Sequence, residues 1–114
     1  MSRRLPEGFV EVRNTRIPRI TFDRQFRFYF SKSLLEDFGL QIGDKVGLAY
    51  NKRTGDMLID KKGRSFRIDS RQYISSKEFA RANKLERADV PITYEFDEER
   101  SDDEFLVFYR LDDV

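Results

Sequence analysis

The stretch KVGLAYNKRTGDMLID, Lys45–Asp60, carries the pattern on which the fold turns. Val46, Leu48 and Tyr50 fall on alternate positions, the period-two signature of a half-buried strand. Asn51-Lys52-Arg53-Thr54-Gly55 breaks that alternation with turn formers and ends in glycine, which suits a type I turn closed by a glycine bulge. Asp56–Asp60 then alternates again, so the stretch reads as an antiparallel hairpin. Lys61-Lys62-Gly63 reads as a second tight turn, with Arg64–Asp69 as a third strand of the same meander.

Upstream of the hairpin, Ser33-Leu-Leu-Glu36 has the spacing of a capping box, and Gly39 offers a left-handed stop to the helix it opens. Phe26, Phe28 and Phe30 share one strand face and Arg27 and Tyr29 the other, after a turn at Asp23–Gln25. Pro18 makes Arg19–Phe22 an edge-type strand, and Phe9–Arg13 alternates as a further short one. Downstream, Ser75–Glu78 is a second capping box, with Ile74 and Phe79 as its hydrophobic staple and a helix running to Asn83 or Lys84. Ile92–Phe96 and Phe105–Leu111 are strands joined by the acidic loop Asp97–Glu104. The expectation is a single α+β domain over residues 1–114, mostly antiparallel β, built of hairpins and a meander with two short helices.

The zeros in the composition exclude more than the totals do. Eleven Phe and five Tyr can make a small aromatic core in a chain of 114 residues. There is no His and no Cys, so thiolate or imidazole metal sites, Ser-His and Cys-His catalysis and disulfides are unavailable within one chain. Asp44, Asp56 and Asp60-Lys61-Lys62 have some of the residue types of a metal nuclease, but turns account for each of them. Ser75 and Ser76 beside Lys77 are better explained as helix caps than as nucleophiles. The expectation is no enzyme, no metal and no cofactor. No apolar run has the length of a membrane span, which points to a cytoplasmic protein of a bacterium or phage, or a virion component.

A formal net charge of +1 conceals a polarised chain. Residues 1–85 hold 19 bases and 10 acids, a net of +9; residues 86–114 hold 3 bases and 11 acids, a net of −8. A basic body favours a polyanion, because each neutralised phosphate releases a condensed counterion. The acidic C-terminal hairpin suits a basic protein partner, or pairs with the basic part within the fold. Arg24-Gln-Phe-Arg-Phe-Tyr-Phe30 interleaves bases with aromatics; Arg27 and Tyr29, opposite the core face, are its binding candidates. Lys52, Arg53, Lys61, Lys62, Arg64 and Arg67 cluster in sequence around the meander, but Lys52 and Arg53 sit at one end of the hairpin and Lys61 and Lys62 at the other, so they need not form one patch and fit ordinary solubilising turns.

Ser31–Val46 resembles the helix and following turn of the AbrB/MazE-type swapped-hairpin family of DNA-binding proteins, with Phe38-Gly39-Leu40 and Gly43-Asp44-Lys45-Val46 matching its pattern. The resemblance covers Phe30–Ile59. It implies an intertwined homodimer whose basic strands and loops lie on DNA. The family's proline before the helix is Ser31 here, and its helix arginine is Leu35, which removes an expected DNA contact. The same motif is also similar to small proteins of phages and mobile elements of gut bacteria.

Two functions follow as expectations. One is a non-enzymatic, dimeric DNA-binding protein, with Arg13, Arg16, Arg19, Arg24 and Arg27 on phosphates, Tyr29 beside them, and Lys52 and Arg53 secondary. The other is a phage virion or accessory module that assembles as a homo-oligomer through its oppositely charged ends.

Overall fold

Ser31 lies outside the helix in extended conformation (φ −60°, ψ 158°) and its hydroxyl accepts from the Leu34 N–H at 3.2 Å. It therefore caps α1 (Lys32–Asp37), two residues earlier than the Ser33 box predicts. A side-chain cap of this kind contributes about 1 kcal/mol. Gly39 ends α1 as expected, at φ +64°, and the Leu40 N–H returns to the Leu35 carbonyl at 2.8 Å. In the same way Ser76, not Ser75, caps α2 (Lys77–Ala82) through the Phe79 N–H, and Ser75 ends the preceding strand. In both places a second serine lies close by: Ser33 falls within the first turn of α1, and Ser75 belongs to the strand before α2.

The computed structural model describes residues 5–10, 12 and 17–111. Its strands are β1 (Arg19–Phe22), β2 (Arg27–Tyr29), β3 (Lys45–Tyr50), β4 (Met57–Asp60), β5 (Phe66–Arg67), β6 (Tyr73–Ser75), β7 (Ile92–Phe96) and β8 (Phe105–Arg110). They form one sheet in the order β5-β3-β4-β8-β7-β1-β2-β6, with every paired neighbour antiparallel. The two outermost strands, β5 and β6, are consecutive in the chain. The Asp69 N–H donates to the Tyr73 carbonyl across the turn between them, so the sheet curls until it nearly closes. Inside lie Phe22, Phe28, Phe30, Val46, Ile59, Ile68 and Phe108, each with no exposed surface, under Leu34 and Leu35 of α1 and Phe79 and Ala80 of α2. Burying a Phe of this kind contributes about 2–3 kcal/mol.

Four expectations need correction. Arg19–Phe22 is not an edge strand: β1 lies between β7 and β2, and Pro18, just before it, lends only its carbonyl, to the Phe96 N–H. Phe9, Val10 and Val12 lie in no strand and are exposed; Arg13 is outside the described residues. The third strand of the meander does not pair with β4. It pairs with the far edge of β3, Lys45 opposite Arg67 and Val46 opposite Phe66. To reach that edge the chain crosses β3 at two glycines. A Cβ on Gly63 would sit 2.4 Å from the Gly47 nitrogen and 2.6 Å from its Cα. Phe26, read as a third residue of the inward row, sits instead in the turn at φ +59°, half-buried against Phe22.

Candidate nucleic-acid interface

The glycine crossing sets β5 beside β3 and brings cations together from three parts of the chain. Lys45 and Arg67 are directly opposite one another and exposed, while their neighbours Val46 and Phe66 turn toward the core. Lys61, Lys62 and Arg64 arrive from the crossing segment itself. With Leu40, Gly43, Asp44 and Gly63 these five side chains line an open cleft of about 660 Å³. Like charges placed directly across a strand pair cost stability, about 0.5 kcal/mol. Nearby carboxylates are partly committed to the backbone: Asp44 accepts from the Gln41 N–H at 2.8 Å and Asp60 from the Lys62 N–H at 3.0 Å.

The acidic hairpin loop reaches this same end of the sheet. Asp60 is opposite Phe105, and the Lys61 N–H donates to the Glu104 carbonyl. The Phe105 and Glu104 N–H groups hold the Asp102 carboxyl below the ordinary aspartate range, and the charge of Lys62 adds to them. Asp97 is lowered chiefly by its hydrogen bond from Arg100, which also reaches Asp56 at 3.1 Å.

The expected arginines are placed differently from one another. Arg13 and Arg16 lie outside the described residues. Arg19 is held against Glu95, Nε to Oε1 at 3.1 Å and a second nitrogen at 3.0 Å, and the Tyr109 hydroxyl donates to the other oxygen. Glu95 is buried although it faces away from the core, so Arg19 compensates an internal carboxylate. Arg27 is bound to Asp23 at 3.0 Å and its guanidinium lies 4.0 Å over the Tyr73 ring. Arg24 is exposed in the turn. Tyr29 is 42% exposed and its ring centroid is 5.2 Å from that of Tyr73, directly opposite on β6. Lys45 and Tyr73 carried no sequence signal: nothing local says that β5 will lie on β3 or β6 on β2.

Lys52 and Arg53 stand at the opposite end of the β3–β4 hairpin. There, with Tyr50, Lys84 and Arg110, they line a groove of about 630 Å³. Ala82 and Asn83, the C-terminal end of α2, line it too. The carbonyls of a helix end carry partial negative charge, which cations complement and an anion opposes. Lys84, at φ +56°, occupies the left-handed stop position usually given to glycine. In the first cleft Lys45 and Arg67 are cross-strand neighbours of like sign, with Asp44 the one acidic side chain in its lining.

Asp44, Asp56 and Asp60 do not converge: Asp56 is taken by Arg100 and by the Arg110 N–H. Among the described residues no group of three or more acidic side chains is arranged to hold a metal ion, and no helix is long and apolar enough to cross a membrane. Comparison with family models, with curated proteins and with solved structures finds no match to this chain.

Proposed function

We propose that the protein is a non-enzymatic nucleic-acid-binding protein that grips the phosphate backbone in the cleft of Lys45, Lys61, Lys62, Arg64 and Arg67. The observation that carries this reading is the exposed Lys45–Arg67 pair, set face to face with three further cations around it. A bound phosphate chain turns that repulsion into attraction and releases counterions. Arg24 extends the basic surface; Arg19 and Arg27, being paired, contribute less than their number suggests. The AbrB-like stretch Phe30–Ile59 supplies β3, β4 and Lys45 itself, in keeping with a backbone-binding role. The test is fluorescence anisotropy of labelled DNA at low salt. Wild-type protein binds, and a Lys45→Ala/Arg67→Ala variant binds at least tenfold more weakly; absence of binding to both single- and double-stranded DNA sinks the proposal.

A second reading is assembly of copies through unlike ends. It is favoured by the acidic segment Asp102–Glu104 at one end of the β3–β4 hairpin and the Lys52, Arg53 and Lys84 groove at the other. Light scattering separates the two. A discrete dimer or monomer, unchanged by salt, fits the first; higher oligomers that dissolve in salt fit the second.

A further inference from the structure

We infer that the nucleic acid held by the basic cleft is single-stranded, and that one of its bases stacks on Tyr29. The inference rests on the cleft reading above and adds the class of nucleic acid. Tyr29 and Tyr73 are opposite one another on β2 and β6, on the outer side of a sheet whose inner side carries the buried Phe28 and Ile74. Their rings lie 5.2 Å apart at 48°. Tyr73 is also covered by the Arg27 guanidinium at 4.0 Å, which Asp23 holds in place. Arg27, Tyr73 and Tyr29 thus form a fixed row of flat groups ending in a ring that is 42% exposed. On its other flank the residue opposite Tyr29 is the short Thr21 of β1.

The row and the cleft are linked through the chain between β5 and β6. Arg67 lines the cleft and lies two residues before Asp69, whose N–H bonds to the Tyr73 carbonyl. Two strand residues span about 7 Å. The acids beside the row, Asp23 and Asp69, each accept two backbone N–H groups of their own turns, and Arg24 and Arg71 are exposed there. In the proposed mode, a strand that passes from Arg67 along the β5–β6 connection brings a base to Tyr29. Bases in a duplex are already stacked on one another and offer no free face, whereas an unpaired base does.

The experiment compares three probes by anisotropy and competition: oligo(dT), a duplex of the same length, and inorganic polyphosphate. Wild-type protein is expected to bind oligo(dT) more tightly than the duplex. Tyr29→Ala is expected to weaken oligo(dT) binding about tenfold and to leave polyphosphate binding unchanged, with Tyr29→Phe retaining both. An unchanged thermal midpoint of Tyr29→Ala guards against misfolding. If oligo(dT) and duplex bind equally and Tyr29→Ala alters neither, the inference is overturned while the cleft stands. If none of the three probes binds, both fall.

Discussion

At the scale of single residues, Glu95 is the position where sequence and structure diverge most. Its alternation in β7 points it away from the core, where a solvated acid is the natural reading; it is 5% exposed, between Arg19 and the Tyr109 hydroxyl. The partners come from strands on either side of β7, and neither is signalled by local sequence. Arg19→Ala leaves a buried carboxylate short of a partner and should cost about 1–2 kcal/mol, the partial exposure of Arg19 keeping the figure low. Glu95→Gln in the Arg19→Ala background should cost little more, and chemical denaturation of the double-mutant cycle measures the coupling. Tyr94 gives a second test. Burial pushes its hydroxyl up to about 12, with Arg110 opposing and Asp56 reinforcing. The unfolded chain releases that proton near pH 10, so the native state holds it more tightly. Stability is present in full below pH 10 and falls by about 2–3 kcal/mol as pH rises to 12. Denaturation at pH 9 and pH 11.5 should show the loss, and Tyr94→Phe should lessen it.

At the scale of elements, the hairpin β3–β4 was legible because everything it needs is local: alternation, then Asn51 accepting from the Arg53 N–H, then Gly55 at φ +80°. The same holds for the glycine stop after α1. The destination of β5 was not legible. A strand leaving a tight turn pairs by default with the strand it left, and the alternative depends on the close approach of Gly63 to Gly47, sixteen positions apart. The basic cleft is a product of that crossing, so its location was hidden for the same reason. A methyl group at residue 63 has no room against the backbone of β3. Gly63→Ala should therefore destabilise by about 2–3 kcal/mol. Gly47→Ala, whose Cβ would meet Asp60 at 3.3 Å and Gly63 at 3.4 Å, should cost less. Equal thermal midpoints for the two variants would contradict the crossing as described.

At the scale of the whole molecule, the split of +9 and −8 along the chain is partly mixed by folding among the described residues. The acidic loop folds beside the Lys61–Gly63 turn, and Arg19 is drawn onto Glu95. Five cations from the β3–β5 crossing line one cleft, and the proposed phosphate contacts lie there. The number of phosphates engaged is readable from salt dependence, with a slope of log K against log salt of about −0.7 per contact on a single strand. The most direct measurement is that slope for oligo(dT), taken for the wild type and for Lys45→Ala/Arg67→Ala. The account predicts a wild-type slope of about −3.5 for the five cleft cations and a variant slope shallower by about 1.4. The same slope in both proteins would contradict it.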